Sequence, residues 1–160
     1  RALQLREEVL GEQHPDVAMS LNNLAILYRD RGDYAKAEPL LQRALRLREE
    51  VLGERHPQVA DSLDILAYLH QAQGRIDQAL PMYLRALQLR DEVLGPHHPH
   101  VAYSCNNLGC LYRDHGQLDQ AEELLNRALS IQTRCLPADH PEIARVKTNL
   151  QKLYSERLLS

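Results

Sequence analysis

One phrase recurs four times along this chain, and it constrains the fold more than any other feature. It reads HPDVAMSLNNLAILY at 14–28, HPQVADSLDILAYLH at 56–70, HPHVAYSCNNLGCLY at 98–112 and HPEIARVKTNLQKLY at 140–154. The triplet RAL also returns at positions 1, 43, 85 and 127, so both markers step by 42 residues. Self-similarity at a fixed period of about 20–50 residues is typical of solenoids, propellers and other repeat arrays.

Each period contains two helical patterns. In the first full period Pro15 and Asp16 mark a helix start, because proline is tolerated at the first helical position and an acid suits the positive end of the helix dipole. Apolar residues then follow at helical spacing until Gly32, which ends the helix. Asp33 is a suitable cap for the second helix, whose apolar rhythm runs to Gly53. Applied to every period, these signals predict an all-α chain of about eight antiparallel helices.

The periods also predict how the chain is organised. We expect a single array with the second helix of a truncated repeat at 1–14, full repeats at 15–56, 57–98 and 99–140, and a C-terminal capping helix at 141–160. The last helix is interpreted as a cap because Lys147 and Gln151 replace apolar or small residues, and a terminal helix needs a hydrated outer face. Because Arg1 begins in mid-helix, we expect bare apolar surface at that end, through which two chains could associate.

Composition and motifs exclude several classes of function. The formal net charge is −3 with both signs interspersed, which gives no electrostatic case for nucleic acid or an anionic membrane. No apolar run is long enough to span a bilayer. Cys105, Cys110 and Cys135 are an odd number without zinc-type spacing, and the histidines at 97–100 fall at repeat and loop positions, so we expect a reduced cytoplasmic protein without metal or cofactor. No nucleotide-binding, zinc-protease or hydrolase motif occurs, so we do not expect an enzyme.

Small residues recur where the two helices of a pair would meet. They are Ala25, Ala67 and Gly109 on first helices and Ala37, Ala79 and Ala121 on second helices, with Leu24, Tyr28, Gly32 and Leu41 between them in the first repeat. This pattern resembles the tetratricopeptide repeat, whose usual period is 34 residues. The 42-residue form, with a longer second helix and an LGxxHP connector, is similar to repeats of kinesin light chains, nephrocystin-3-like proteins and arrays attached to NTPase switches. The resemblance covers essentially the whole chain and implies a right-handed superhelical solenoid.

The resemblance also implies where a ligand would bind. In this family the first helix of each pair lines the concave face, so first-helix residues that do not pack inward should form a groove. In the first two repeats these are Met19, Asn22, Asn23, Ile26, Arg29, Asp30, Asp61, Asp64, Ile65, Tyr68 and Gln71. In the third repeat and the last helix they are Tyr103, Asn106, Asn107, Cys110, Arg113, Asp114, Arg145, Asn149 and Lys152.

The asparagine pairs are the most specific candidates in this groove. An asparagine amide offers donors and an acceptor, which suits the backbone of an extended peptide. By resemblance to peptide-binding arrays, Asn23, Asn107 and Asn149 would hold ligand backbone, Arg29 and Arg113 would meet carboxylates, and Tyr68 and Tyr103 would flank an anchor side chain. The alternative is that the asparagines bond to the neighbouring helix and fix the stacking of repeats. Asp61 and Asp64 make the second repeat acidic, so an acidic ligand would be repelled there.

Two functions remain open at this stage. The first is a protein–protein interaction module, the scaffold or adaptor part of a larger protein, that captures a peptide segment or partner helix in the groove. The ligand implied by the resemblance is an acidic peptide with an aromatic anchor. The alternative is a structural spacer or self-association arm of a larger motor or NTPase-switch protein, with no ligand in the groove. Groove substitutions distinguish the two, because they abolish partner binding only under the first.

Overall fold

The structure is a computed structural model that describes residues 2–11 and 13–159. Within those residues it contains eight helices and no strand. They are α1 (Ala2–Leu10), α2 (Pro15–Asp30), α3 (Tyr34–Leu52), α4 (Pro57–Ala72), α5 (Ile76–Leu94), α6 (Pro99–Asp114), α7 (Leu118–Cys135) and α8 (Pro141–Leu159). The predicted all-α helical repeat is therefore confirmed. Arg1, Glu12 and Ser160, which fall in the predicted segments 1–14 and 141–160, lie outside the described residues.

The first helix of each pair begins at the proline of a His-Pro dipeptide, and the histidine caps it. The ring Nδ1 atoms of His14, His56, His98 and His140 each accept a hydrogen bond of 3.2 Å from the backbone N–H two residues later. Proline at the first helical position loses nothing, because the first N–H groups of a helix have no partner inside it. After α2 the chain turns at Gly32, whose φ of 76° is a left-handed conformation that glycine adopts without strain.

The second helices are long and continuous. Asp33 caps α3 as expected, because its carboxylate accepts the backbone N–H of Lys36 at 3.3 Å and pairs with the Lys36 ammonium at 2.6 Å. Pro39 and Pro81 lie inside α3 and α5 without interrupting either helix. Each proline is the sixth residue of its helix, so it removes one intrahelical hydrogen bond, to the carbonyl four residues earlier. Gly53 ends α3 with a φ of 88°.

The chain divides into two compact units, Arg1–Leu89 and Arg90–Ser160, and the division falls within α5. In the first unit the apolar core lies where consecutive helices meet. Its clusters are Val17, Ala18, Leu21, Ala44 and Leu47, then Ala25, Ala37, Leu41, Leu66 and Leu69, then Val59, Ala60, Leu63, Ala86 and Leu89. The middle cluster joins α2 and α3 to α4. Stacking one helix pair on the next therefore buries apolar surface that a single pair would expose.

In the second unit α6 packs on α7, and α8 contacts both. Cys105, Leu108, Leu125 and Val146 are each at most 1% exposed at these seams. Gly109 permits the close approach of α6 to α7, because a Cβ atom there would lie 2.9 Å from the Cγ atom of Leu125. The small residue at this repeat position is thus required by packing.

A buried arginine links a second helix to the first helix that follows it. Arg48 Nη1 donates to Ser62 Oγ at 2.9 Å and to the carbonyl oxygen of Gln58 at 2.8 Å. The same arginine–serine bond joins Arg6 to Ser20 and Arg90 to Ser104. We call this contact the Arg–Ser rung. Both residue types recur at the 42-residue period, but that recurrence alone did not indicate a contact between them.

Two exposed surfaces lie on the first and last helices. On α1, Leu5 is 52% and Val9 77% exposed, whereas Leu47, which stands at the position of Leu5 in the next repeat, is 6% exposed. On α8, Lys147 and Gln151 are exposed, as a capping helix requires. The interpretation of α8 as a cap and the limits of the individual repeats stay predictions.

Candidate peptide-binding faces

In the first unit, the first helices α2 and α4 contact each other and leave a surface of mixed polarity. We call it the α2–α4 face and define it by Met19, Asn22, Asn23, Ile26, Arg29, Asp30, Asp61, Asp64, Ile65 and Tyr68. Met19 and Tyr68 are 42% and 51% exposed, and Asn23 is also exposed. Ile26 and Ile65 are half-buried. The predicted set therefore includes side chains of very different accessibility.

The two neighbouring asparagines of α2 lie in different environments. Asn22 is 4% exposed, and its Nδ2 lies 3.5 Å from Ser62 Oγ, the acceptor of the Arg–Ser rung. Its Oδ1 is buried and accepts no hydrogen bond from the described residues. Asn23, in contrast, is exposed. The first asparagine thus belongs to the seam between helices, and the second is the one a ligand can reach.

Arg29 is already engaged within the α2–α4 face. Its guanidinium carbon lies 5.0 Å from the centroid of the Tyr68 ring, and its Nη2 pairs with Asp30 at 2.7 Å. A cation–π contact at an exposed site contributes about 0.5–1 kcal/mol. A ligand carboxylate would have to compete with Asp30 for this arginine. Asp61 is half-buried and Asp64 is 3% exposed, so Asp61 is the acid closer to solvent.

The second unit repeats this construction on α6 and α8, which also contact each other. We call this surface the α6–α8 face and define it by Tyr103, Asn106, Asn107, Cys110, Arg113, Asp114, Arg145, Asn149 and Lys152. Each of these residues stands two repeat periods after its counterpart on the α2–α4 face. The two faces can therefore be compared position by position.

An amide–amide hydrogen bond crosses the α6–α8 face. Asn149 Nδ2 donates to Asn106 Oδ1 at 2.8 Å, and Asn106 is only 3% exposed. The counterpart of Asn149 on the α2–α4 face is Ile65, which has no side-chain donor, so the Oδ1 atom of Asn22 is left without a partner. This bond supports the stacking role for Asn106, while half-buried Asn107 stays accessible.

Two guanidinium groups lie over the ring of Tyr103. The Arg145 carbon is 5.3 Å and the Arg90 carbon 5.8 Å from the ring centroid. Arg90 is 2% exposed, whereas Tyr103 is 40% exposed, so the tyrosine covers a buried cation and still reaches solvent. Arg145 also pairs with Glu142, one turn before it on α8. These two contacts fix the orientation of the Tyr103 ring, the exposed aromatic side chain of the α6–α8 face.

Arg113 lies deeper than its role as a carboxylate ligand would suggest. Its side chain is 11% exposed and pairs with Asp114 at 2.6 Å and with Glu156 at 3.7 Å. The counterpart pair Arg29–Asp30 has almost the same geometry, at 2.7 Å. Arg113 therefore contributes to the face mainly through its positive charge, because little of its side chain can reach a ligand.

Several charged groups act on the centre of the α6–α8 face. Cys110, which is half-buried there, has its thiol pKa raised above the usual value by burial, the largest influence. The positive charges of Arg113, Arg145 and Lys152 act in the opposite direction, and Asp114 is the one anion among these influences. Three cations and one anion thus act on a single half-buried position.

The described part of the chain gives little evidence for metal binding, cysteine chemistry or a membrane-spanning helix. No group of three or more His, Cys, Asp or Glu side chains there is placed to hold a metal ion. Burial raises the pKa of the Cys105 thiol to about 11, so little of the reactive thiolate forms at neutral pH. No helix among the same residues has the length and apolar character needed to cross a bilayer.

Stacked helix pairs with exposed first-helix faces define a helical repeat protein, and comparison with family models identifies which kind. A tetratricopeptide repeat model matches residues 63–134, and a second tetratricopeptide repeat model matches residues 1–16 and 17–58. The chain therefore belongs to the tetratricopeptide repeat family, which generally mediates protein–protein interaction. No curated protein matches the sequence.

Several solved structures share this fold. BtubC (BKLC) from P. vanneervenii superposes with a TM-score of 0.83 and is 29% identical, over 96% of this chain and 61% of that chain. A putative kinesin light chain with nearly identical TPR-like repeats from Podosopora anserina gives 0.74 and 26% identity, over 96% and 72%. The apo form of RapI gives 0.81 at 20% identity, over 98% and 56%, which shows the fold alone. This chain thus spans 61% of the BtubC chain and 56% of the RapI chain.

Proposed function

We propose that this chain is a non-catalytic interaction module of a scaffold or adaptor, and that its first-helix faces bind a peptide segment or partner helix. The observation that carries the proposal is the α6–α8 face. There a half-buried position under three cations lies on the same face as an exposed tyrosine. We assign to this face an acidic segment with an apolar or aromatic anchor that packs beside Tyr103.

The side chains of this face suit different parts of such a ligand. Lys152 is exposed and can meet a ligand carboxylate directly. Arg145 is 40% exposed but pairs with Glu142, so a ligand carboxylate would compete with that acid for it. Asn107 can hold the ligand backbone through its amide. Arg113 is too deep for ready contact and adds to the field. Because all of them project from packed helices, binding orders few new groups, which lowers its entropic cost.

A peptide selection tests this proposal. A random peptide display library is panned against the intact chain and against two variants, Arg145→Gln/Lys152→Gln and Asn23→Ala/Asn107→Ala. We expect acidic peptides on the intact chain, with binding at least tenfold weaker to Arg145→Gln/Lys152→Gln and reduced binding to the asparagine variant. Both variants change groups that are exposed or half-buried, so circular dichroism should show unchanged helix content.

The control removes the same charge elsewhere. Arg46→Gln/Arg134→Gln neutralises two exposed arginines on the second helices α3 and α7 and should leave the selected peptides bound as tightly as before. If the peptides bind every variant equally, the first-helix faces are not the binding surface. If binding falls in the control as strongly as in Arg145→Gln/Lys152→Gln, the effect is one of net charge and not of the face.

A second candidate function is a spacer or self-association arm of a larger protein. The observation that favours it is α1, where Leu5 and Val9 are 52% and 77% exposed. Apolar side chains adjacent on one short helix form a surface that another chain can cover. Under this alternative, substitutions in the α6–α8 face are silent and substitutions on α1 change the oligomeric state.

We assign the chain to the cytoplasm. Cys105, Cys110 and Cys135 are all unpaired thiols. Free thiols persist in reducing compartments, whereas exported domains usually oxidise them to disulfides. Mass spectrometry after alkylation of the chain in intact cells would test this, because the exposed thiol of Cys135 should be labelled without prior reduction.

A further inference from the structure

Helices α6 and α8 run in the same direction and in register across the α6–α8 face. Pairs of side chains interact in the same order along both helices: Tyr103 with Arg145, Asn106 with Asn149, Cys110 with Lys152 and Arg113 with Glu156. The second member of each pair lies 42 or 43 residues after the first. The face therefore has two distinct ends, with Tyr103 near the start of α6 and Arg113 near its end.

The arginines at the two ends of the face already have acidic partners within it. Arg145 pairs with Glu142, one turn before it on α8. Arg113 pairs with Asp114 at 2.6 Å and with Glu156 at 3.7 Å. A ligand carboxylate at either end would have to compete with these acids.

The centre of the face, in contrast, offers groups that are still open to a ligand. Lys152 is exposed and makes no ion pair with the described residues. Its charge acts on half-buried Cys110, which places it between the two ends. Half-buried Asn107 lies three residues before Cys110, and its side-chain amide makes no hydrogen bond within the described part of the chain. The cation and the amide are thus free to bind, at a fixed distance from the exposed ring of Tyr103.

Helix geometry gives the spacing between that ring and the free cation. Cys110, the neighbour of Lys152, lies seven residues after Tyr103, which is about 10 Å along the helix axis. An extended segment of polyproline type covers this distance in about three residues, and every third side chain returns to the same side. A helical ligand would need about seven residues. Asn107 favours the extended form, because its amide can bond backbone groups that a helix pairs internally.

We propose that the α6–α8 face binds an extended segment in which an aspartate or glutamate lies three residues from an aliphatic or aromatic side chain. The apolar side chain packs beside Tyr103, and the carboxylate pairs with Lys152. Asn107 bonds the backbone between them. This inference deepens the proposed function and rests on it, because it specifies the spacing and the backbone conformation of the acidic ligand.

The surroundings of Lys152 disfavour other spacings. An acid further along the face would meet the two carboxylates that surround Arg113. An acid nearer to the ring would have to compete with Glu142 for Arg145. The position of the one unpaired cation, and not the net charge of the face, therefore selects the ligand.

The peptides selected on the intact chain report the spacing directly. A random library contains acids and apolar residues at every separation, and we expect the enriched peptides to share an acid three residues from an aliphatic or aromatic residue. The best peptide is then synthesised with a fluorescent label and with its acid one, three, five or seven residues from the apolar residue, at constant composition. Fluorescence anisotropy should show binding at least threefold weaker at every spacing other than three.

A substitution of Lys152 tests which group of the chain meets the acid. Lys152→Gln should weaken binding of the peptide with three-residue spacing at least threefold. It should not change the affinity of the same peptide with glutamine in place of the acid, because both changes remove the same interaction. The matched control is Lys147→Gln, since Lys147 is an exposed lysine of the same helix outside the face, and it should bind each peptide as the intact chain does. Circular dichroism should show the same helix content for both variants.

Three results would overturn the inference. One is a preferred spacing of seven residues, which indicates a helical ligand, or an affinity that does not depend on spacing. Another is equal binding of the three-residue peptide to the intact chain and to Lys152→Gln. The last is a loss in Lys147→Gln as large as that in Lys152→Gln.

The proposed function fails in a different way. If no acidic peptide is enriched, or if the enriched peptides bind Arg145→Gln/Lys152→Gln undiminished, the proposed function falls and this inference falls with it. If acidic peptides depend on the α6–α8 face but show no preferred spacing, the proposed function stands and this inference alone falls.

Discussion

The histidine of each His-Pro dipeptide acts as a helix cap, a role more often filled by serine, threonine, asparagine or aspartate. In the second repeat, His56 Nδ1 accepts the backbone N–H of Gln58 at 3.2 Å, so that nitrogen carries no proton. His56→Ala should therefore lower the free energy of unfolding by about 1 kcal/mol. His56→Asn keeps an acceptor at the cap and should cost less than about half of that. Urea unfolding followed by circular dichroism measures both. Equal losses in the two variants would show that the ring stabilises by packing and not by capping.

His70 makes stability depend on pH. It is 3% exposed and stands where other repeats have tyrosine, at positions 28, 112 and 154. Burial, and then the positive charge of Arg75, hold the pKa of His70 below its usual value, while Glu38 acts weakly in the other direction. The folded chain thus keeps the ring neutral at a pH where the unfolded chain already binds a proton.

The sign of the effect follows from this difference. As pH falls below about 6.5, the usual pKa of histidine, the unfolded state gains protons first and the free energy of unfolding decreases. The decrease ends once pH passes the lowered pKa of the folded state. His70→Tyr should reduce the loss of stability between pH 7.5 and 5.5, measured by urea unfolding at both values. An identical loss in the variant would show that His70 does not account for the pH dependence.

At the scale of helices, the Arg–Ser rung holds successive repeats together, and the last rung is missing. Gln132 stands at the position of Arg48, and Val146 at that of Ser62. Gln132 is 2% exposed, and its Oε1 atom is buried without a hydrogen bond from the described residues. An unsatisfied buried carbonyl costs roughly 1–3 kcal/mol. The same substitution should therefore have opposite effects at the two positions.

Arg48→Met should destabilise the chain by about 1.5–3 kcal/mol, since it removes hydrogen bonds from a charged donor to Ser62 Oγ and the Gln58 carbonyl. Gln132→Met should stabilise it by about 1 kcal/mol, because a flexible apolar side chain of similar size replaces an unpaired polar group. Differential scanning calorimetry at one protein concentration compares the two melting temperatures with that of the intact chain. A shift of the same sign in both variants would show that side-chain volume, and not hydrogen bonding, decides stability at this position.

The helices were predictable because their signals are local. Pro15, Gly32 and Asp33 act within one turn of chain, and the apolar rhythm between them has the helical period. The roles within each face were not predictable in the same way. Asn22 and Asn23 are neighbours in sequence, yet a step of one residue turns a helix by about 100°, which sends one into the seam and the other to solvent. Whether a buried amide is satisfied depends on the opposite helix, as the exchange of Asn149 for Ile65 shows.

At the scale of the whole molecule, the exposed apolar side chains on α1 allow the chain to be tested for self-association. Leu5 and Val9 are 52% and 77% exposed, and covering them would gain about 25 cal/mol for each Å² of apolar surface removed from water. We expect sedimentation velocity to show a concentration-dependent dimer of the intact chain, and Leu5→Gln/Val9→Lys to remain monomeric.

The control is Leu158→Gln/Leu159→Gln on α8, where the leucines are 87% and 89% exposed. It should dimerise as the intact chain does, because it leaves the apolar side chains of α1 unchanged; a monomeric control would assign self-association to α8 instead. A monomeric intact chain at every concentration would remove the support for a self-association arm and leave peptide binding as the function to test. If the α1 variant is monomeric and still binds its selected peptides, self-association and peptide binding use separate surfaces.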